Sequence, residues 1–365
     1  MKRFVLLTLC LVLIFTASVN LFAEEKLKVG VAYLWTIRDM GWTTAHYKGI
    51  QYMRAVVGSE IEIIEKEKVM TATDAEAVMR DFIAQGCKLI FGTTYSHMDA
   101  MEILSAEFPD VIFEHCSGYK KNDTNFGNYF MRMYQGEYLA GYMAGLMGFK
   151  NIGTVATNPI PEPVRGINAF TIGLLKGLNE AEMKHNAEKV NTPIWLNAWR
   201  DETNETLYAE MLSVKGHDLI RQMADTPDSS RAACAKGVPA IGYGEDVSQY
   251  GVKCALLSSI WNWGPYYVDS VQRVLDGTWE PGDPWWGFDK GGMKISNFHD
   301  SVPMDVRNKV LAEKAKLDVG EDDIFIGPIY DNTGELRVPE GGKLTDMDLL
   351  TMNWLVQGVV GKLPK

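Results

Sequence analysis

The sequence predicts an α/β protein built as two doubly wound lobes, each around a parallel sheet. Short apolar β-type runs alternate with helix-length segments, the pattern that produces a parallel sheet covered by helices on both faces. The alternation breaks at a polar stretch, Gly118 to Asn128, and then starts again. With 365 residues, the chain is long for one hydrophobic core and comfortable for two.

The elements follow in order. Lys28-Val29-Gly30-Val31-Ala32 reads as the first strand. Thr43 to Val57 has apolar residues at Tyr47, Ile50, Met53 and Val56, a helical spacing. Glu60 to Ile64 alternates as a strand does, and Thr73-Asp74 opens a helix through Ala84, with Asp74 the expected N-cap. Lys88 to Gly92 is a strand, and Met98 to Phe108 a helix ended by Pro109. Val111-Ile112-Phe113 is the next strand, and the polar run after it is expected to cross between lobes. Tyr134 to Met147 is expected as a long amphipathic helix. The second array has strands at Asn151–Ala156, Val190–Leu196, His217–Gln222 and Ala240–Tyr243. Its helices are Pro163–Leu178, one ending at Leu212, and Ser229–Ala235. Asp331-Asn332-Thr333-Gly334 marks a tight turn in a C-terminal hairpin, with a helix after it, laid across one lobe.

These elements divide the chain into a signal peptide over 1–23, a first lobe over 24–125 and 258–292, a second lobe over 126–257 and 293–330, and an extension over 331–365. The leader rests on Lys2-Arg3, the uncharged apolar run Phe4 to Ala17, and Leu21-Phe22-Ala23 ahead of Glu24-Glu25. The run is short for a membrane span. Cys10 lies inside it behind the bulky Leu9, so a lipid anchor is not expected, and the mature chain is expected outside the cytoplasmic membrane. A net charge of −11, more negative once the leader is removed, argues against nucleic acid or an anionic membrane as partner. Cys87, Cys116, Cys234 and Cys254 have no spacing that decides between buried thiols and bridges.

Metal and nucleotide chemistry leaves no signature. No two of the six histidines have metal-ligand spacing, and there is no Cys-x-x-Cys, Walker loop or Gly-x-Ser-x-Gly elbow. Gly242 and Gly244 begin a Gly-x-Gly, but Asp246-Val247 replaces the rest of a dinucleotide fingerprint. No catalysis, metal or cofactor is expected.

What the sequence does have is a rim. One strand after another ends in aromatic or acidic residues: Tyr33 and Trp35 with Trp42 beyond, Tyr95, Asn197 and Trp199, Glu245 and Asp246, Trp261 and Trp263. In an open parallel sheet, ligands bind outside the carboxyl ends of the strands. Indoles, phenols and a few carboxylates there suit a flat apolar molecule with polar edges, such as a purine base.

Several segments carry a family resemblance: Asp39-Met40-Gly41-Trp42-Thr43, Phe108-Pro109-Asp110-Val111, Tyr134-Gln135-Gly136-Glu137-Tyr138-Leu139-Ala140-Gly141, and Gly166-Ile167-Asn168-Ala169-Phe170. Together they resemble the basic membrane protein family of bacterial solute-binding lipoproteins, which includes the purine nucleoside receptors, over roughly Lys26 to Pro364. Glu114-His115, Tyr119-Lys120, Asn197-Ala198-Trp199 and Trp263-Gly264-Pro265-Tyr266-Tyr267 are similar to a branch associated with purine bases. The resemblance implies a type I periplasmic-binding fold with three hinge crossings and a role as the ligand-capturing, monomeric component of an ABC importer, with a membrane permease as partner. It implies that Trp42 and Trp199 sandwich the base and that Asp246 binds its edge. Nucleoside binders have an acidic residue after the first strand and a Lys near the last crossing; here those places hold Leu34-Trp35 and Trp261, which suggests a free base.

Tyr95, Asn197 and Trp263 complete the expected ligand-binding set. Each residue has a structural alternative. For Trp42 it is a staple packed on its helix; Asp246 suits an N-cap, Tyr95 and Asn197 suit local backbone caps, and Trp263 suits the core. Two other functions fit the same ligand class: a sensory subunit reporting to a membrane receptor, and an exported nucleosidase.

Overall fold

The computed structural model describes residues 26–364; the leader, including Cys10, lies outside the described residues. The first array runs β1 (Leu27–Ala32), α1 (Trp42–Val57), β2 (Ile61–Lys66), α2 (Ala72–Ala84), β3 (Leu89–Gly92), α3 (Met98–Glu107), β4 (Ile112–Cys116) and β5 (Phe126–Met131). The second runs α4 (Met133–Leu146), β6 (Ile152–Ala156), α5 (Pro161–Glu180), β7 (Asn191–Trp195), α6 (Glu202–Val214), β8 (Leu219–Gln222), α7 (Asp228–Ala235), β9 (Ala240–Gly244) and β10 (Ala255–Trp261). Then come α8 (Gly264–Leu275), β11 (Trp285–Trp286), β12 (Met293–Ile295) and α9 (Met304–Asp318). The tail holds β13 (Ile329–Tyr330), β14 (Leu336–Val338) and α10 (Asp346–Leu350).

Two six-stranded sheets result, ordered β11-β5-β4-β3-β1-β2 and β12-β10-β9-β8-β6-β7. Every pairing in them is parallel except β10 with β12. The two orders match strand for strand, and only the edge differs: β11 runs parallel to β5, β12 antiparallel to β10. The chain crosses between sheets three times: from β5 to α4, from β10 to α8, and from β11 to β12. The helices after the first two crossings pack away from the strands that precede them. Thus α4 lies on β10, β12 and α5 of the second sheet, and α8 lies on α1 of the first. The predicted two-lobed α/β architecture with three crossings is the one observed.

Some details differ. Gly118 to Asn128 does not cross between lobes. Phe126–Met131 pairs with β4 inside the first sheet, and the crossing follows it. The division drawn at 125 therefore falls one strand early, and the one at 257 cuts through β10, which pairs with β9. Backbone pairing decides both, and local composition does not reveal it. Asp74 is not the N-cap of α2: Thr71 is, and Asp74 answers it from three residues on in a capping box. Finally, α4 is not amphipathic. It is buried from Met133 to Gly145, including Glu137, whose charge pairs with Arg221 of β8 at zero exposure for both.

Cys234 and Cys254 form a disulfide in the second lobe; Cys87 and Cys116 are free and buried. The hairpin β13–β14 and α10 lie on the second lobe. Arg165 of α5 donates to the Leu349 carbonyl, and Asn168 bonds Trp354 and Val356. Among the described residues, no helix is long and apolar enough to cross a membrane.

Candidate functional site

The loops after the strands of the two sheets meet across a cleft. Gly41, after β1, abuts Asp225, after β8, so tightly that a Cβ at position 41 would lie 2.0 Å from the Asp225 carbonyl oxygen. Arg200, after β7, donates to the Asp39 carbonyl at 3.4 Å, and Arg231 of α7 approaches Met40 Sδ at 3.4 Å. Lys48 of α1 pairs with the buried Glu245 after β9, which also accepts from Tyr250.

The first lobe supplies an aromatic wall, and Asp39 sets its position. Its buried carboxylate accepts from the backbone N–H groups of Gly41, Thr43 and Thr44 and from the Thr44 hydroxyl. That satisfies the free donors at the start of α1. Trp42, the first residue of this helix, is thereby fixed in place. Its indole N–H donates to the Thr93 carbonyl at 2.8 Å. Behind it, His46 at 4.7 Å, Trp263 at 5.5 Å and Trp261 at 5.6 Å all meet it edge to face, a favoured aromatic geometry. Phe130 of β5 is half-buried beside it. His46 is neutral: burial holds it well below the usual histidine range, and its Nδ1 lies 2.6 Å from the Tyr267 hydroxyl.

The second lobe supplies carboxyl groups. Glu162, near the start of α5, accepts from the Tyr243 hydroxyl at 2.7 Å. Burial raises its carboxyl above the ordinary range, and Arg165 partly offsets that. Asp225 is raised well above, by burial first and then by Asp39, Glu205 and Glu162. Its backbone N–H donates to the Trp199 carbonyl at 2.9 Å.

The expected site residues fall into three groups. Trp42 and Trp199 belong to loops of different lobes that come together through the Gly41–Asp225 contact; the Trp199 side chain is 42% exposed. Asp246 and Trp263 line a second cavity of about 210 Å³ at the hinge flank of α1, together with Lys48, Glu245 and Trp261. There the Asp246 carboxylate accepts from the Ser248 N–H and hydroxyl and from Gln249, as a cap. Trp263 is wholly buried, stacked on His46 at 4.4 Å and on Trp261 at 5.2 Å. The third group is Tyr95 and Asn197. Tyr95 is 53% exposed and pairs with Tyr119, and Asn197 is exposed at φ +54° with its N–H on the Thr157 carbonyl. Sequence reasoning passed over Glu162, Asp225, Tyr243 and Phe130. A signal existed for Asp225, which follows the β8 run by three residues as Asp246 follows β9 by two. Among the described residues, no group of side chains has the makings of a metal site.

Comparison with known proteins agrees with this architecture. A family model described as PnrA-like ABC transporter substrate-binding protein matches residues 26–321. A purine-binding protein of Brucella abortus is 36% identical over 349 residues, covering 94% of this chain and 95% of that one. A putative ABC transporter glucose-binding protein of Haloferax volcanii is 31% identical, covering 93% and 82%. Among solved structures, an ABC transporter solute-binding protein of Conexibacter woesei superposes with a TM-score of 0.65 at 21% identity, covering 81% of this chain and 97% of that one. One from Aeropyrum pernix gives 0.67 at 15% identity, covering 84% and 93%. Such distant structural likenesses speak to the fold, whereas the family match spans most of the sequence. The chain belongs to the PnrA-like family of ABC transporter substrate-binding proteins.

Proposed function

We propose that this protein captures a purine base, adenine or a relative of it, in the cleft between its lobes and delivers it to a membrane permease. The observation that carries this reading is the opposition of two unlike walls. Trp42 presents a braced indole with Phe130 beside it, and the facing lobe presents Trp199 with the carboxyl groups of Glu162 and Asp225. A purine has two apolar faces for the indoles and an edge of N–H donors for the carboxyls. The named ligand of the Brucella relative points the same way.

A free base suits the site better than its nucleoside. Leu34 and Trp35 offer ribose no carboxylate, and Trp261 is buried against Trp42, Trp263 and Tyr243 where a lysine would reach a sugar hydroxyl. No bond is broken: binding exchanges water for stacking and directed hydrogen bonds. Residues 1–23 direct export, and the mature chain works as a soluble monomer outside the cytoplasmic membrane.

Titration calorimetry with adenine, guanine, hypoxanthine, adenosine and glucose tests this. The expected result is binding of at least one free base, tighter than adenosine, with no heat from glucose. Glucose binding without purine binding, in line with the Haloferax relative, overturns the purine reading. Release of ribose from adenosine would instead make the protein a nucleosidase.

A further inference from the structure

A cavity of about 350 Å³, larger than the one at the hinge flank of α1, opens on the first lobe away from the cleft. Its floor is the buried Glu114, in the middle of β4. Its walls are Tyr266, Asp269 and Arg273 of α8, with Glu280 and Trp286 of the segment that leads into β11. Arg273 lies nine residues along α8 from Gly264 at the hinge, roughly 14 Å at 1.5 Å per residue. The covering segment is pinned at both ends. The Thr278 and Trp279 N–H groups donate to the Arg273 carbonyl, and the Asn128 and Phe130 N–H groups of β5 donate to the carbonyls of Gly282 and Pro284.

The polar groups around this cavity are only partly used. Glu114 accepts from the Trp279 indole and from the hydroxyls of Tyr266 and Ser270, all neutral donors, and burial raises its carboxyl above the ordinary range. The Arg273 Nε is buried and lies 2.9 Å from an Asp269 oxygen, yet it makes no directed hydrogen bond. The terminal nitrogens of Arg273 donate to nothing among the described residues, and Glu280, exposed at the mouth, has no ion pair among them. Buried polar groups are normally paired.

We infer that this cavity is a second ligand site, for a free amino acid with an apolar side chain: Arg273 takes the carboxylate, Glu280 and Asp269 take the ammonium, and the side chain lies against Tyr266 and Trp286.

Charge and shape narrow the ligand to this class. The lining holds three carboxyls and one guanidinium. A simple anion meets an excess of negative charge. A simple cation leaves the guanidinium unanswered and is repelled by it. A neutral purine answers neither charge, so the cavity does not duplicate the cleft. A zwitterion answers both, and the planar fork of an arginine matches a carboxylate through two parallel hydrogen bonds. Tyr266 and Trp286 stand edge to face at 5.3 Å and give an apolar side chain its surface. The volume is at the low end of the range for small-molecule sites, about 300–1,000 Å³.

Calorimetry on the full mature chain tests the inference with L-leucine and L-phenylalanine, each beside its decarboxylated amine and its deaminated acid. At least one amino acid is expected to bind, and its amine and its acid at least about tenfold more weakly, the scale of a lost hydrogen bond between charged groups. No heat from either amino acid overturns the site, and an amine or acid that binds as well as its parent overturns the zwitterion. Arg273→Met keeps the apolar stem and removes the fork; it is expected to weaken the amino acid by about 10- to 100-fold. Trp42→Ala, in the cleft, is expected to leave it within about twofold, because a side chain roughly 14 Å or more away makes no contact with the ligand. Unchanged binding in Arg273→Met, or a loss in Trp42→Ala, overturns the placement. Thermal melts check folding. If Arg273→Met does not fold, Glu280→Gln, at an exposed position, carries the test, with a loss of about three- to tenfold expected; no loss there overturns the inference. What the cleft binds does not enter any of these outcomes.

Discussion

The two lobes share one strand order and differ in the chemistry of their strand ends. The first builds its cleft face from rings: Trp42 held by Asp39 and Thr93 and braced by His46, Trp261 and Trp263. Its buried histidines His46, His97 and His115 are all held neutral by burial. The second holds Glu162 and Asp225 at its strand ends, carboxyls raised by burial. On the proposed reading, the difference separates two tasks. A neutral aromatic wall grips any flat heterocycle, with a strength set by area. A wall of desolvated acceptors adds little grip of its own and discriminates sharply, because a wrong edge leaves it unpaired.

The largest test of this division is removal of the rings. Trp42→Ala should weaken purine binding by about 2–4 kcal/mol, from lost stacking and apolar burial together. Trp199→Ala should cost about 2 kcal/mol, since that ring has no aromatic brace among the described residues. A calorimetric ranking in the reverse order would move the main platform to the second lobe.

The lobes should also differ in how pH acts on them. Burial lowers His97 and His115 to about 4, against an ordinary 6.5. The unfolded chain takes up these protons below about pH 6.5 and the folded one does not, so stability is lost as pH falls from 6.5 through 4. Glu205 in the second lobe runs the other way. Burial pushes it up to about 7, and the Thr226 hydroxyl and Asp201 N–H only partly offset this. There the folded chain keeps a proton that the unfolded one releases, so stability falls as pH rises from about 4.5 to 7, by up to ~3 kcal/mol at 1.36 kcal/mol per unit. In denaturant melts across pH, Glu205→Gln should lift stability progressively from about pH 4.5 to 7 and on the alkaline side, and leave the acid end unchanged. An unchanged alkaline side would show that Glu205 does not titrate as its burial demands.

Gly41→Ala acts on the meeting of the lobes instead of on either face. With a Cβ 2.0 Å from the Asp225 carbonyl oxygen, the lobes cannot approach as they do. Binding should weaken by about 1–3 kcal/mol, the scale of an overpacked contact, while the melting temperature without ligand should move little. A large loss of that melting temperature would mean the contact belongs to the folding core. The smallest effect is expected from Lys48→Met. Lys48 is about half exposed, so solvent screens its pairing with Glu245, and the loss should be no more than ~1 kcal/mol, read mainly in the ligand off-rate.

Much of this was legible in the chain. Apolar runs and their spacing locate β1, α3 and α5 within a few residues, because each packs against neighbours close to it in the sequence. The same patterns misread α4. Packed against α5, α9 and the second sheet, it has no solvent face, and Glu137 is tolerated only because Arg221 meets it from β8. Trp42 was legible as a site candidate from its place after a strand. The choice between Asp246 and Asp225 was not. Both follow strands, and the difference lies in donors: Ser248 and Gln249 reach one of them, and no described group reaches the carboxyl of the other.

By itself the sequence determined the class of fold, the repetition of its two halves and the aromatic character of the strand ends. These depend on local periodicity and on which side chains follow each strand. Tertiary structure decided which strand belongs to which sheet at the crossings, which cysteines pair, and which carboxyl stays free in the cleft. These outcomes rest on contacts between residues far apart in sequence: Cys234 with Cys254 across 20 positions, Gly41 against Asp225, β5 beside β4 instead of starting a new sheet. The free energy of such contacts comes from mutual burial and hydrogen-bond pairing between segments, and neither segment carries that information alone.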